Sequence, residues 1–423
     1  MAKQAGGKAI LVAVETLGCK LNQAETEKLT AELMEAGCSI VPAGQFADIY
    51  ILNTCTVTHI ADRKSRHFVR LAHRLNPRAH IVVTGCYAER AAAEVAAIEG
   101  VDLVIGNDQK EQLVEILRSA GYISADEVGD LVLAQNRTRS FIKAQDGCNN
   151  FCSYCIVPLV RGSENSLSPD MVISAIKNRV GAGFREVVLT GTEIGSYHSG
   201  GLDIEGLIAR IMRETQLSRL RLTSLQPEEI NSELVALWQD SRLCPHFHIS
   251  LQSGSDGVLK RMNRRYTAKD YAQKVELLRR SLPDTGITTD VIVGFPGETE
   301  REFEESAAFC RDLKFSRLHI FPYSARKGTP AASMPGQIHP AIKKERSQRM
   351  IELAEESRVA FNSRFIGQTT EVLFEHGAGG FSTGLTGNYI KVSVRSKIDL
   401  SNRLVQVKLL ELKGEGLLGE ALI

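Results

Sequence analysis

The sequence predicts a multidomain α/β protein: an N-terminal open parallel sheet, a central partial (β/α)6 barrel and a small C-terminal all-β barrel. Short apolar runs alternate with amphipathic stretches over residues 9–120 and again over residues 141–321, as in parallel sheets with crossover helices. After residue 367, glycine-rich turns separate the apolar runs, which is typical of a small barrel. We therefore predict domains at 1–125, 134–364 and 365–423.

The first series contains four predicted strands and four predicted helices. The strands lie near residues 9–14, 48–52, 80–84 and 101–105, and the helices near residues 23–37, 58–75, 88–99 and 109–119. Gly37 stands where a helix C-cap is expected, and Asp108 where an N-cap is expected. Because a helix follows each strand, we expect an open sheet of mainly parallel strands.

The second series contains six β/α units, fewer than the eight of a complete barrel. Its strands lie near residues 141–145, 185–190, 219–223, 246–250, 287–293 and 317–321, and its helices near residues 169–181, 203–214, 228–239, 268–281 and 299–312. Ser168 followed by Pro169 is a typical helix start. A linker is predicted at 121–140, and a long helix at 339–365 precedes the last domain.

Composition limits the partners and the compartment. The 51 Lys and Arg residues balance the 50 Asp and Glu residues, so any surface for nucleic acid must be local. The apolar run at residues 9–14 is too short for a secretory signal, and no run approaches the ~18 apolar residues of a membrane span. Nine cysteines, an odd number, argue against a disulfide framework. We expect a cytoplasmic protein without a membrane segment.

Three cysteines lie within eight residues, directly after the first predicted barrel strand: Cys148, Cys152 and Cys155. Zinc would need a fourth ligand nearby, and none follows, whereas a ferredoxin run has tighter spacing and a fourth cysteine. Three thiolates on a 4Fe–4S cluster leave one iron open to a substrate, as in catalytic metal sites. A structural metal knuckle is the alternative.

Three further cysteines, Cys19, Cys55 and Cys86, are far apart in sequence, but each closely follows a predicted strand. The C-termini of parallel strands share one edge of a sheet, so these thiols are expected to converge. Gly18 and Gly85 directly precede two of them, which allows tight turns. The pattern predicts a second 4Fe–4S cluster, and three inert buried cysteines are the alternative. The remaining cysteines are interpreted as small buried hydrophobes: Cys38, Cys244 and Cys310.

Several long motifs occur in order along nearly the whole chain. The first series contains TLGCKLNQAETE (16–27), NTCTVT (53–58) and TGCYAER (84–90). The second contains GCNNFCSYCIVP (147–158), ISLQSGSDGVLKRMNRRYT (249–267), DVIVGFPGETEREFEES (290–306) and FPYSARKGTPAASMPGQ (321–337). With these motifs the chain resembles the radical S-adenosylmethionine (SAM) methylthiotransferases, most closely their MtaB branch. The last domain resembles TRAM, a small RNA-binding barrel.

The resemblance implies a substrate and a reaction. The substrate is N6-threonylcarbamoyladenosine beside the anticodon of tRNA, and the product is its 2-methylthio derivative. One SAM methylates a sulfur on the cluster of the N-terminal domain, and a second SAM, bound at the barrel cluster, supplies the radical that removes hydrogen from C2 of the adenine. No polar side chain can activate an aromatic C–H bond, so cofactor radical chemistry is required.

The resemblance also implies the SAM contacts. Tyr154, inside the three-cysteine motif, would lie near the adenine of SAM. The other contacts follow barrel strands, where ligands of such barrels bind: Thr190, Gly191, Glu193, Ser250, Gln252, Gly294 and Phe295. Each glycine is equally typical of a turn, and Glu193 of a surface carboxylate.

Two basic segments are candidate tRNA contacts. Residues 61–75 place four arginines on one helical stripe: Arg63, Arg66, Arg70 and Arg74. A second run begins with Lys260 and Arg261, and Phe381 and Tyr389 are candidates for stacking on bases. A solvated charged face or core aromatics are the alternatives. The partners implied are tRNA and an electron donor such as flavodoxin or ferredoxin, with a monomeric enzyme.

Some positions depart from the family pattern. Residues 163–167 are not basic, and Thr192, Glu193 and Gln226 are unusual, so details of substrate recognition stay open. The rival hypotheses are a sister enzyme acting on isopentenyladenosine in tRNA or on a ribosomal protein aspartate, a non-catalytic iron–sulfur RNA-binding protein, and a zinc protein.

Overall fold

The computed structural model describes residues 9–123 and 138–423. The chain forms two compact units, of which the first comprises Met1–Ala134 with Cys155–Gly162 and the second comprises Gln135–Tyr154 with Ser163–Ile423. The expected domain boundaries at 125 and 134 lie outside the described residues. In the described ranges, no helix is long and apolar enough to cross a membrane.

The N-terminal unit is built on a five-stranded parallel sheet. Its strands are β1 (Leu11–Thr16), β2 (Ser39–Val41), β3 (Ile49–Thr54), β4 (His80–Gly85) and β5 (Leu103–Ile105), in the order β2-β1-β3-β4-β5. Its helices are α1 (Lys20–Glu35), α2 (His59–Leu75), α3 (Cys86–Arg90), α4 (Ala92–Ala96) and α5 (Leu113–Ser119). Two apolar clusters form cores that join the strands to these helices, as the predicted parallel sheet requires.

The predicted elements of this unit are confirmed with local corrections. Gly37 follows the C-cap of α1 at a φ of 86°, as expected of a glycine that ends a helix. The helix expected at 88–99 breaks at Ala91 into two short helices. The helix expected at 109–119 opens with a 3-10 turn whose N-cap is Gln109, so Asp108 was the wrong cap. Strand β2 is an addition, because its three residues are too few to show a period.

The barrel strands of the second unit are parallel. In chain order the strands are β6 (Arg139–Lys143), β7 (Gln145–Asp146), β8 (Asn165–Ser166), β9 (Glu186–Thr190), β10 (Arg219–Leu222), β11 (Ser224–Leu225), β12 (His246–Ile249), β13 (Gly286–Val293) and β14 (Arg317–Pro322). One sheet has the order β10-β9-β6, a second has the order β11-β12-β13-β14, and β7 and β8 form a small antiparallel pair. Only Thr223 separates β10 from β11, so six barrel positions result, as predicted.

The helices that follow these strands include the expected ones, and three short helices were not predicted: Val157–Arg161, Asp256–Arg261 and Pro330–Ser333. In chain order the helices are α6 (Val157–Arg161, part of the N-terminal unit), α7 (Pro169–Gly181), α8 (Ile204–Glu214), α9 (Ser232–Ala236), α10 (Asp256–Arg261), α11 (Ala268–Ser281), α12 (Glu300–Leu313), α13 (Pro330–Ser333) and α14 (Pro340–Ser363). The Ser168 hydroxyl accepts a hydrogen bond from the Met171 amide and caps α7. The helix expected at 228–239 is shorter, because 3-10 turns flank α9 on both sides.

Side chains on the barrel strands alternate between two environments. Phe247, Ile249, Val291 and Leu318 belong to the large apolar core that includes the surrounding helices. The residues between them point to the other face, which is the barrel interior. The outer face therefore stabilises the barrel, and the inner face is available to a ligand.

The C-terminal domain is a closed five-stranded barrel, as predicted. Its strands are β15 (Thr369–Ala378), β16 (Phe381–Thr386), β17 (Lys391–Arg395), β18 (Leu404–Lys413) and β19 (Gly416–Ala421), in the order β15-β16-β17-β19-β18. The turn between β16 and β17 packs on the start of the large barrel, where the Tyr389 ring stacks on His246 with centroids 4.6 Å apart. A Cβ at Gly286 would lie 2.3 Å from the Asn388 carbonyl oxygen, so glycine permits this approach. Tyr389 therefore packs against the large barrel rather than offering an open face to bases.

Candidate functional site

The three spread cysteines meet at one edge of the N-terminal sheet. Cys19 follows β1 and is the N-cap of α1, Cys55 follows β3, and Cys86 is the first residue of α3 after β4. These three strands are neighbours in the sheet and run parallel. A Cβ at Gly18 would lie 2.6 Å from the Cβ of Cys55, which shows how closely the first two loops approach.

The electrostatics of these cysteines fit a metal cluster. Burial raises the pKa of the Cys55 thiol to about 12, and the neighbouring sulfurs of Cys19 and Cys86 contribute to the rise. Neighbouring buried thiols ionise together only when a cation shares their site. The donor set and its position at the strand C-termini therefore suit an iron–sulfur cluster held by three thiolates.

A buried network of charged side chains surrounds this site. The Arg161 side chain is 3% exposed, and its Nη1 donates to Oε1 of Glu25 at 2.9 Å. Arg161 also donates to the Asn22 side chain, and Lys110 Nζ lies 2.7 Å from Oε2 of Glu25. Arg161 lowers the pKa of Cys55, opposing burial. Sequence reasoning missed this network, because Arg161 and Glu25 are 136 positions apart and the motif that contains Glu25 does not indicate its partner.

The three-cysteine loop of the barrel begins after β7. Cys148 Sγ donates to Oε2 of Glu193 at 3.0 Å, and Arg264 Nη1 donates to Cys152 Sγ at 3.2 Å. Phe151 has a φ of 48° and is 63% exposed, so the loop turns sharply between these two cysteines. Cys155 begins the segment that belongs to the N-terminal unit.

The first group of expected SAM contacts lies beside this loop. Thr190 ends β9 and is buried, and the Glu193 amide donates to Oε1 of Gln145 at 2.9 Å. A Cβ at Gly191 would lie 2.7 Å from the same oxygen, so a larger residue there would displace the Gln145 side chain. Glu193 is buried and accepts from both Cys148 Sγ and the side-chain amide of Asn150. It is not the surface carboxylate of the alternative reading.

The second group follows β12. The Ser250 carbonyl accepts from the Tyr266 hydroxyl at 2.6 Å and from Arg264 Nη2 at 3.4 Å. Gln252 has a φ of 69° and its backbone pairs with β13 in both directions. Arg264 also donates to the side chain of Gln226. Arg264 thus joins the cysteine loop to two strand ends, a role that the interpretation of 260–265 as a basic surface run missed.

The third group follows β13. Gly294 has a φ of 70°, and a Cβ there would lie 2.5 Å from Cγ of Lys343. Phe295 is fully buried and packs edge-on against Tyr323 with centroids 5.5 Å apart. The Tyr154 side chain packs against the same apolar cluster. Phe295 therefore belongs to the apolar cluster against which the Tyr154 side chain packs.

Comparison with known proteins agrees with this geometry. Residues 142–310 match the model of the Radical SAM superfamily, and residues 11–106 match the one described as Uncharacterized protein family UPF0004. A Bacillus subtilis protein named threonylcarbamoyladenosine tRNA methylthiotransferase MtaB is 39% identical, over 95% of this chain and 94% of its own. A Clostridium novyi tRNA-2-methylthio-N(6)-dimethylallyladenosine synthase is 32% identical, over 96% of this chain and 95% of its own.

The chain belongs to the radical SAM tRNA methylthiotransferase family. Among solved structures, the radical SAM methyltransferase TsrM from Kitasatospora setae has a TM-score of 0.57 at 15% identity and covers 77% of each chain, which supports the fold. As a methylthiotransferase of this family, the protein is an enzyme that uses SAM and a 4Fe–4S cluster and acts on tRNA.

Proposed function

We propose that this methylthiotransferase converts N6-threonylcarbamoyladenosine beside the anticodon of tRNA to its 2-methylthio derivative. The observation that carries the proposal is the convergence of Cys19, Cys55 and Cys86 at one sheet edge, in a chain that also carries the barrel loop of cysteines. The name and 39% identity of the Bacillus subtilis relative support the choice of nucleoside.

Two iron–sulfur clusters are proposed, each with three thiolate ligands. Cys19, Cys55 and Cys86 would hold the cluster that carries the sulfur to be transferred, and the barrel cluster would take its ligands from Cys148, Cys152 and Cys155. When bound, the clusters and SAM supply the radical chemistry that an aromatic C–H bond requires.

The protein's own side chains orient and enclose these groups. Glu193 is a buried carboxylate beside Cys148, so it suits the ammonium group of SAM. The backbones after Thr190, Ser250 and Gly294 line the C-terminal ends of the barrel strands, where ligands of such barrels bind. Arg161 places a buried positive charge near Cys19 and Cys55 and stabilises the ionised form of both thiols.

The proposed domains are 1–125 for the N-terminal cluster, 134–364 for the radical SAM barrel and 365–423 for a TRAM domain that binds RNA. We propose a monomer that acts in the cytoplasm and receives electrons from a flavodoxin or ferredoxin.

Helix α2 is the proposed tRNA contact of the N-terminal unit. Arg63, Arg70 and Arg74 are exposed on it, whereas Arg66 donates to the Tyr87 hydroxyl at 2.9 Å and pairs with Glu94. Of the second basic run, Lys260 is exposed, but Arg261 is held by Glu302 at 2.9 Å. The α2 stripe thus offers three exposed cations at helical spacing, and the second run offers fewer.

Replacing Arg63, Arg70 and Arg74 together by alanine is expected to weaken tRNA binding and to flatten its dependence on salt. The slope of log K against log salt should fall in magnitude by about 0.7–0.9 for each phosphate that is no longer neutralised. Fluorescence anisotropy with labelled tRNA at several salt concentrations measures both quantities. A matched triple variant at exposed positions of other helices, Lys177, Arg213 and Arg301, should change neither. Equal effects of both triples would contradict a specific α2 contact.

The proposed function is tested by mass spectrometry of tRNA nucleosides from cells that lack the protein and from the same cells with it restored. We expect 2-methylthio-N6-threonylcarbamoyladenosine only after restoration. An unchanged level of this nucleoside would overturn the proposal. A change in the methylthio derivative of dimethylallyladenosine instead would assign the protein to the activity named for the Clostridium novyi relative.

A further inference from the structure

The barrel interior carries a cluster of titratable side chains that neither cysteine site uses. His248, Asp290 and His319 lie on the neighbouring strands β12, β13 and β14, and one side-chain nitrogen or oxygen from each lies within 4.8 Å of the others. His248 Nε2 is 3.4 Å from Oδ2 of Asp290, and the two imidazole centroids are 5.8 Å apart. These three side chains are called the lumen triad.

The lumen triad is open to a ligand inside the barrel. Its members alternate along their strands with Phe247, Val291 and Leu318, which pack into the outer core. The side chain of Asp290 is 30% exposed and that of His248 is 12% exposed, although both lie in the middle of the sheet. The exposed fraction therefore belongs to the interior of the barrel.

The lumen triad lies one layer of side chains away from the strand end that Arg264 connects to the cysteine loop. Ser250 is two residues beyond His248 on the same face, which is about 7 Å along the strand. The Ser250 carbonyl accepts from Arg264, whose Nη1 donates to Cys152. On the other side of the triad, His246 stacks on Tyr389 and closes the start of the barrel. Along the inner face of the strands, the triad thus lies between His246 and the strand ends that Arg264 connects to the cysteine loop.

The orientation of His248 is fixed before any ligand binds. Its Nδ1 is 3.0 Å from the buried hydroxyl of Thr288, which is also 3.2 Å from Nε2 of His246. The other ring nitrogen of His248 is thereby directed at Asp290 and the interior. A polar group held in this way binds a ligand at little further entropic cost.

Resting on the proposed function, we propose that the lumen triad binds the threonylcarbamoyl substituent of the substrate adenosine. C2 and the N6 substituent lie on opposite sides of N1 in adenine, so presenting C2 to the cysteine loop turns the substituent towards the next layer. Its ureido N–H groups donate to Asp290, and its carboxylate and hydroxyl accept from the imidazoles of His248 and His319. An apolar dimethylallyl group can make none of these hydrogen bonds, so the lumen triad favours the threonylcarbamoyl substituent.

The test compares two RNA substrates with the reconstituted holoenzyme. Anticodon stem-loops carrying N6-threonylcarbamoyladenosine or N6-dimethylallyladenosine are assayed for methylthio product with wild type, His319→Phe and Asp290→Asn. Both variants should lower the ratio of kcat/KM for the first RNA over the second by roughly 10- to 100-fold, the scale of one or two hydrogen bonds to a charged group. Reductive cleavage of SAM without RNA should stay at the wild-type rate, which shows that the barrel site is intact.

A matched control and the contrary outcomes complete the test. His80→Phe keeps a ring stacked on Tyr122 and should leave the ratio unchanged. If His319→Phe and Asp290→Asn lower kcat/KM equally for both RNAs, the proposed subsite is overturned. The zinc content of wild type and of His319→Phe is also measured. If wild type contains equimolar zinc, His319→Phe has lost it and activity falls equally on both RNAs, the triad is a metal site and the proposed subsite is overturned. Wild type that modifies only the dimethylallyl RNA overturns the proposed function itself, and this is seen without any variant.

Discussion

Replacing Cys55 by alanine is expected to abolish methylthio transfer while SAM cleavage continues. Cys55 is buried beside Cys19 and Cys86, so its loss removes one of three thiolates from the proposed N-terminal cluster. The barrel loop with Cys148 and Cys152 is unaltered and should still cleave SAM when reduced. Iron and sulfide analysis should show half of the wild-type content, and chromatography should show 5′-deoxyadenosine without methylthiolated nucleoside.

The complementary variant and a control make this result specific. Cys152→Ala should also lose half of the iron, but it should form neither 5′-deoxyadenosine nor product. Cys38→Ala removes a buried cysteine of the same N-terminal core and should retain full iron content. A Cys55→Ala protein with wild-type iron and normal transfer would show that the N-terminal cysteines hold no cluster.

Replacing Glu186 by glutamine is expected to lower the free energy of unfolding more than any other substitution proposed for this protein. Glu186 and Arg221 are both fully buried, with Oε1 of Glu186 2.9 Å from Nε of Arg221. Arg219 lies 3.9 Å from the same carboxylate. Removing the carboxylate leaves buried guanidinium groups without a counter-charge, which costs about 3–5 kcal/mol. The midpoint of denaturant unfolding should fall accordingly.

The pH dependence of the same pair follows from its pKa. Burial alone would raise the pKa of Glu186, but Arg221, Arg219 and Arg139 hold it below its ordinary value. The stabilisation is therefore present above the ordinary carboxyl range and is lost as the pH falls through the lowered pKa. The difference in unfolding midpoint between wild type and Glu186→Gln should become smaller in acid. The exposed Glu233→Gln should change the unfolding midpoint little at any pH, and an equal shift there would contradict this account.

The cysteines show what could be predicted from sequence. Cys19, Cys55 and Cys86 each follow a short apolar run, and parallel strands bring their ends to one edge whatever the details of packing. The alternation of strands and helices likewise predicted the N-terminal sheet and the large barrel, and apolar runs separated by glycine-rich turns predicted the final barrel. These features depend on local periodicity, which a single sequence carries in full.

Other features were decided only by the tertiary structure. Arg161 reaches Glu25, Arg264 reaches Cys152, and the Tyr389 ring stacks on His246 at the start of the large barrel. The sequence around Arg161, Arg264 and Tyr389 predicts none of these contacts. The expected N-cap at Asp108 and the expected unbroken helix through Ala91 were also wrong, because weak local preferences yield to packing.

The sequence by itself determined the fold class and the two sets of cysteines, because both depend on spacing along the chain, and its long motifs carry the resemblance to the enzyme family. Only the tertiary structure decided which charges surround the thiols and which side chains line the barrel interior. His248, Asp290 and His319 are separated by long stretches of chain and meet solely through the register of three parallel strands. That register is set by the packing of the whole barrel, so it cannot be predicted from any single segment of the sequence.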